Sequence, residues 1–300
     1  MARKTKIWLI VALSLILAGG ILFTGVMMAL NWDFGNLSTM QFEENTYEIT
    51  SDFSDINIMT DTADVTFYHA KDGKTTVVCY EHEKVTHEVA VIGGALTVAV
   101  KDTRNWYEHI GINFKQPKIK VYLPQEAYGK LRLNTTTGDM LISGGFTFKK
   151  VDVSARTGDV FCWASAEEKI NVEVTTGNIR LQETSAQSVE LIATTGDIRM
   201  ENVRACNTEL HLSTGDVYMR NVVLDGELSV RGTTGSIRMY ECDAKSVYIK
   251  LNTGDVGCNF LSPKAVHAYT NTGSVDYPPD VTGEPCEITT TTGNIRVSYQ

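Results

Sequence analysis

At 300 residues, 43% hydrophobic and 21% charged, the chain has the composition of a folded protein with room for two modest domains, which excludes disorder as its main state. Its formal net charge is −9, and Arg3, Lys4 and Lys6 precede the first apolar segment, leaving 24 basic against 36 acidic residues beyond it. A surface of that sign repels phosphate backbones and excludes nucleic acid as a partner.

Residues 1–6 form a short basic N-terminus. Residues 7–30, IWLIVALSLILAGGILFTGVMMAL, carry no charge. As a helix they reach about 36 Å, against a bilayer hydrocarbon core of about 30 Å. Basic residues before the segment, with Trp8 and Trp32 at the expected interfaces, predict a single-pass plasma-membrane protein with a cytoplasmic N-terminus and an extracellular C-terminal domain. The rival is a cleaved secretory signal, but such apolar regions run about 7–15 residues and end at a small-x-small site. Here Met28-Ala29-Leu30-Asn31 is a poor site, and the first cysteine, Cys79, is too distant for a lipoprotein signal. The segment reads as an uncleaved signal anchor.

Residues 31–49 read as a linker, and residues 50–125 as an imperfect first rung followed by a β cap or small β subdomain. Ile56, Ile58, Ala63, Asp64, Val65 and Phe67 begin there the offsets that repeat later. Further strands are predicted at residues 75–80, on both sides of Gly93-Gly94, and at residues 118–123.

Residues 126–300 are periodic. Thr-Gly followed by Asp, Asn or Ser and then an aliphatic residue or Met recurs at Gly138, Gly158, Gly177, Gly196, Gly215, Gly235, Gly254, Gly273 and Gly293, spaced 19 or 20 residues apart. Apolar columns align on that glycine: Leu131, Val151 and Ile170 seven before it, Leu133, Val153 and Val172 five before. Met140, Val160 and Ile179 follow two after it, and Ile142, Cys162 and Leu181 four after, each column continuing down the chain. Offsets of two on both sides of a corner mean strands with alternate side chains inward. Each unit is strand, corner, strand, loop, one coil whose successive turns stack at about 4.8 Å. The predicted fold is all-β, a single-stranded parallel β-helix or β-solenoid with rungs of 19–20 residues, preceded by one transmembrane helix. Its stability comes from stacking, because one rung cannot bury its own apolar face. The last rung is expected to leave a strand edge open at the end of the stack, blunted by Pro278, Pro279 and Pro285 or covered by a second copy.

The corners Thr194–Ile198 (TTGDI) and Ser213–Val217 (STGDV), with the degenerate first rung and the anchor, resemble the bacterial DUF4097 family, the β-strand-repeat "putative adhesin" domain, over about residues 50–300. The resemblance implies a β-solenoid on bacterial envelope proteins, some of them associated with cell-envelope stress operons. It implies no established activity and no catalytic residues.

Outward positions supply the candidate chemistry. The residues after the glycines, among them Asp139/Asp159 and Asp197/Asp216, form a ladder spaced about 5 Å apart, suited to a carboxylate pair or to calcium. Since Asn178, Ser236, Ser274 and Asn294 occupy the same place, the shared property is a turn-capping acceptor, and Asp197 and Asp216 remain weak calcium candidates. The threonines before the glycines form a hydroxyl ladder, read as β-branched residues pairing along the stack. Three residues after the glycines, Arg180, Arg199, Arg238 and Arg296 alternate with Phe161, Tyr218, Gly257 and Asp276; within this stripe Arg180, Arg199, Tyr218 and Arg238 are the candidates for contact with a glycan or protein.

Cys162 and Cys258 share a column five rungs apart, about 24 Å, too far for a disulfide; a Cys206–Cys242 pair stays open. Cys79, His82 and His87 have zinc-like spacing without a completing fourth ligand. No catalytic motif recurs on one face. The expectation is therefore a membrane-anchored cell-surface binding or scaffold protein, non-enzymatic and without a cofactor, whose partner is an envelope protein or glycan. The alternatives are an accessory of envelope-stress signalling and, less well supported, a polysaccharide-cleaving β-helix enzyme.

Overall fold

The structure, a computed structural model, describes residues 3–32, 42–105, 116–279 and 281–300. It divides into two compact units, Met1–Phe42 with Thr103–Gln116, and Glu43–Asp102 with Pro117–Gln300. In the first, α1 (Arg3–Ala29) is one unbroken helix, long and apolar enough over Thr5–Ala29 to cross a membrane. Trp32 follows the helix, whereas residues 33–41 of the expected linker lie outside the described residues. The remainder of that linker is not coil: Phe42–Ile49 is a strand, β1.

The second unit is a β-solenoid. Corresponding strands of neighbouring rungs pair in parallel, and the inward column five residues before the corner stays in register down the central stack, as in Val153↔Leu133, Val153↔Val172, Val172↔Leu191, Leu191↔Leu210, Leu210↔Val230 and Val230↔Ile249. The two columns before the corner and the two after it converge on one dry interior, in which Leu133, Val172, Leu191, Ile179, Leu181 and Met219 are among the fully buried side chains. At about 1.5–3 kcal/mol per buried large side chain, this interior is the main favourable contribution to the fold.

The corner glycines answer two constraints at once. All nine have φ between 134° and 147°, a region that side chains rarely adopt. A Cβ on any of them would also lie 1.7–2.3 Å from the carbonyl oxygen of the corner residue on the adjacent rung. The glycines stack directly on one another, so the period is a steric requirement renewed at every turn. The loop side of four consecutive rungs has its own corner, where Glu183, Asn202, Asn221 and Glu241 take φ of 50–54° and Asn221 donates to Asn202 Oδ1 at 2.8 Å.

The stack does not follow chain order at either end. The Gly254 rung pairs with the Gly293 rung, not with the Gly273 rung: Lys250↔Thr289 and Val256↔Ile295 are partners, and the Gly273 rung pairs with the far side of the Gly293 rung through Tyr269↔Thr289 and Val275↔Ile295. The chain leaves a gap one rung deep and the last rung fills it. Lys264 holds this insertion. Its ammonium is completely buried and meets Asp243 Oδ1, the Ala244 carbonyl at 2.7 Å and Glu284 Oε2 at 3.0 Å, tying the loop before the Gly254 rung to the inserted strand. The expected open edge on the last rung is thereby corrected, and Pro285 lies in the inserted strand, where it blunts nothing. The outermost rung is the Gly273 one, which explains why its column members Val275 and Tyr277 are exposed while their equivalents elsewhere are buried.

At the other end, β2 (Asp55–Thr60) and β3 (Asp64–His69) form a rung on the Gly138 rung, with Ile58↔Leu133 and Val65↔Met140. Next come β4 (Thr75–His82), β5 (Val85–Ile92), β6 (Ala95–Asp102) and β7 (Lys118–Leu123). β6 and β7 stack on β2 and β3 in parallel. β5 and β4 then pair with β6 and β7 in antiparallel fashion, and β1 pairs with β4. This antiparallel layer ends the repeat.

Candidate functional site

The rung strands that follow the glycine corners make one outer face with two outward columns. In the first, Arg180, Arg199, Tyr218 and Arg238 lie side by side on consecutive rungs. The Arg199 guanidinium sits 4.6 Å from the Tyr218 ring centre, a cation–π geometry, and its Nε is 3.7 Å from Glu201. Arg238 Nη1 is 3.2 Å from Asp216 Oδ2. The second column, two residues further on, brings together Gln182, Glu201, Arg220 and Tyr240. Tyr240 is 46% exposed and its ring lies 5.6 Å from that of Tyr218.

The inserted last rung completes this face. It places Arg296 beside Gly257, so the first column runs Arg238, Gly257, Arg296, Asp276. With no side chain at Gly257, a groove of about 510 Å³ opens between the two arginines, lined by Tyr240, Asp255, Asn259, Asp276 and Ser298. A second depression of about 320 Å³ shares Tyr240 and Asn259 and extends to Tyr218 and Arg220. The glycine here is not demanded by the backbone. Gly257 is absent from the positive-φ residues, and a Cβ on it would meet only the Ile237 carbonyl oxygen, at 4.0 Å. Sequence reasoning placed Gly257 and Arg296 in the same stripe but not beside one another, because chain order puts a whole rung between them. Nor did it single out the column of Tyr240 and Asn259, which is polar and irregular in sequence.

The carboxylate ladder does something definite. Each acceptor takes the backbone N–H of its counterpart on the next rung: Asp159 N donates to Asp139 Oδ1 at 2.8 Å, Asn178 N to Asp159 Oδ1 at 2.7 Å, Asp197 N to Asn178 Oδ1 at 2.9 Å and Asp216 N to Asp197 Oδ1 at 2.8 Å. Asp64 on the degenerate rung begins the series, accepting from Asp139 N at 3.0 Å. Capping therefore runs between rungs, where a carboxylate or an amide oxygen serves equally. Asp197 and Asp216, the calcium candidates, belong to this series, and the second oxygen of Asp216 faces Arg238.

All six cysteines are free, and Cys206 is exposed whereas Cys242 is buried, so that open pairing is not formed. Burial pushes the thiols of Cys162 and Cys286 up to about 12 and that of Cys242 to about 11, which makes them poor nucleophiles. The zinc-like trio is corrected by strand alternation: Cys79 and Glu81 point into the cap and His82 does not. Glu81, not His82, joins Cys79 and His87 in the buried cluster.

No curated protein matches the chain. Among solved structures, a "putative adhesin" from Parabacteroides distasonis ATCC 8503 aligns over 86% of this chain and 98% of its own at a TM-score of 0.54, with 15% identity. At that identity the likeness shows the fold alone. A "putative adhesin" from Bacteroides fragilis NCTC 9343 aligns over 87% and 97% at 0.46 with 16% identity. A "putative lipid binding protein" from P. distasonis aligns over 85% and 96% at 0.48 with 13% identity. The family model described as Toastrack DUF4097 matches residues 53–240 and 205–300, and the chain belongs to that family.

Proposed function

We propose that the protein is a non-catalytic binding protein of the bacterial envelope, held by α1 as an uncleaved single-pass anchor, whose groove at Gly257 takes a hydroxyl-rich chain such as an envelope glycan. The observation that carries this reading is the gap itself. Nothing in the backbone calls for glycine at 257, yet its absent side chain opens the groove between Arg238 and Arg296. The lining suits a sugar: Tyr240 offers an apolar ring face, while Asn259, Ser298, Asp255 and Asp276 offer hydrogen-bonding groups. The groove is shallow and open along the face, a form that grips an extended polymer more readily than a small metabolite.

The test uses the full chain in detergent, immobilised and exposed to purified envelope polysaccharide. Wild type should retain it, Gly257→Trp should abolish retention by filling the groove, and Tyr240→Ala should weaken it about tenfold or more. The thermal midpoint of all three should stay close together. Retention by Gly257→Trp equal to wild type would remove the groove from the proposal, and no retention by wild type would remove the glycan. The anchor and its topology are tested through Cys206, the exposed thiol: a membrane-impermeant maleimide should label it in intact cells and should label the full-length, uncleaved chain.

A further inference from the structure

The N-terminal cap closes over a polar cluster in an otherwise apolar layer. β4 turns Val77, Cys79 and Glu81 inward, and His87 of β5 meets them; Cys79, Glu81 and His87 are 0%, 1% and 4% exposed. One donor atom from each lies within 4.8 Å of the other two. Glu81 Oε2 is 2.7 Å from His87 Nδ1 and accepts the His87 backbone N–H at 2.6 Å. Around this core stands an outer set. Asn45 Nδ2 donates to Glu81 Oε1 at 2.8 Å, Thr60 Oγ1 lies 3.1 Å from His87 Nε2, and Tyr47 donates to the His87 carbonyl at 3.3 Å.

A thiol, an imidazole and a carboxylate are the three side-chain donors zinc accepts, at about 2.0–2.3 Å each. Metal-bound histidines and carboxylates are held in turn by hydrogen bonds on their remaining polar atoms. Both conditions are met here in advance, Thr60 standing on the free imidazole nitrogen and Asn45 on the free carboxylate oxygen. We infer that Cys79 Sγ, Glu81 Oε2 and His87 Nδ1 form a zinc site that fastens β4 to β5 and closes the N-terminal end of the stack. Donors around one such ion stand about 3.4–3.6 Å apart, so Nδ1 and Oε2 separate by about 0.7–0.9 Å from their present 2.7 Å contact, within the reach of rotamer adjustment. Binding displaces the Cys79 thiol proton to solvent and leaves one coordination position for water. It requires the imidazole proton on Nε2, where Thr60 Oγ1 accepts it, so that the proton now shared by Nδ1 and Glu81 Oε2 leaves Nδ1 free. The sequence spacing alone pointed to His82, which strand alternation turns away from the site.

The experiment uses the full chain in detergent, in a Cys206→Ser background so that the exposed thiol cannot contribute, stripped with a chelator and titrated with Zn²⁺ or Co²⁺. The site requires one ion per chain, a thiolate-to-cobalt charge-transfer band, and a thermal midpoint raised by Zn²⁺. Cys79→Ser, nearly isosteric, should lose the band. Asn45→Ala should weaken binding about 10- to 100-fold, and His82→Ala should bind as the parent does. Failure of the parent to bind either ion, a band that survives in Cys79→Ser, or loss of binding in His82→Ala would each overturn the assignment. The decisive readout is the titration of the parent chain, so it holds even if a variant misfolds.

Discussion

The central rungs and the two ends of the solenoid are made of the same strands but obey different rules. Between Gly138 and Gly254 every rung repeats its neighbour, and one residue per turn enforces the repeat, because a glycine stacked on a glycine leaves no room for a Cβ. At the C-terminal end Gly273 and Gly293 stack under the same constraint, but that constraint does not fix which rung lies beside which. There the chain doubles back, a later segment takes the place that the next segment in order would fill, and single polar side chains such as Lys264 decide the arrangement. The difference teaches that periodicity guarantees the interior of a solenoid and says little about its terminal rungs, which is where this protein builds its groove.

The sharpest way to break that contrast is at the corners. Gly196→Ala places a Cβ 2.0 Å from the Gly177 carbonyl oxygen at a φ of 134°, and should cost about 3 kcal/mol or more. Gly257→Ala, on the same kind of strand but away from a corner, should change stability by no more than about 0.5 kcal/mol. Denaturant unfolding of the pair measures the contrast, and similar losses would show that corner stacking does not set the period.

The ends come next in size. Lys264→Met leaves the Ala244 carbonyl and Asp243 without their buried donor and should cost about 1–3 kcal/mol, with the half-exposed Glu284 adding little. Hydrogen exchange should locate the loss in the last two rungs and spare the centre. The same contact gives a pH dependence. Burial alone would raise the Asp243 carboxyl, but hydrogen bonds from Lys264 and Ser262 outweigh it and hold it below the usual carboxylate value. A lowered folded value means stability that is fully present at neutral pH and lost as the pH falls through that value. Asp243→Asn should therefore flatten the acid side of the stability profile, and an unchanged profile would exclude this pair as its source.

Within the centre, Asp197→Ala removes the cap on Asp216 N–H and should cost about 1 kcal/mol, whereas Asp197→Asn should be close to neutral. Equal losses in both variants, or a midpoint raised by calcium, would favour a charge-specific role instead. The smallest effect is a gain. Thr208 stands in an apolar column with a buried hydroxyl that lacks a hydrogen-bond partner, so Thr208→Val should stabilise by about 0.5–1 kcal/mol in a thermal melt.

Much of the fold was readable because its signal is local. The corner glycines, the four columns and the degenerate rung at Ile56 to Phe67 are patterns of single residues at fixed offsets, and each offset maps onto one face of a strand. Chain reversal at the ends was not readable, since Val266, Ala268, Val275 and Tyr277 fit the columns in sequence as well as any rung does. Nothing in their identity says that the Gly293 rung slides between them and the Gly254 rung. The left-handed loop corners at Glu183 and Asn202 were also missed: glutamate gives no sign of positive φ, and asparagine, which tolerates it, signals it less strongly than glycine does. Arg180, Arg199, Tyr218 and Arg238 were legible as a stripe, but the groove depends on Arg296 lying beside Gly257, a neighbour relation that only the reordered stack creates.

That reordering is open to a direct test by cysteine pairing. Partners on adjacent parallel strands lie about 4.8 Å apart, within disulfide reach, and residues two rungs apart lie about 9.6 Å apart, beyond it. Cysteines at Lys250 and Thr289 should therefore cross-link readily on oxidation, while cysteines at Lys250 and Tyr269 should not. The opposite outcome, a bridge between 250 and 269 and none between 250 and 289, would return the stack to chain order and dismantle the groove with it.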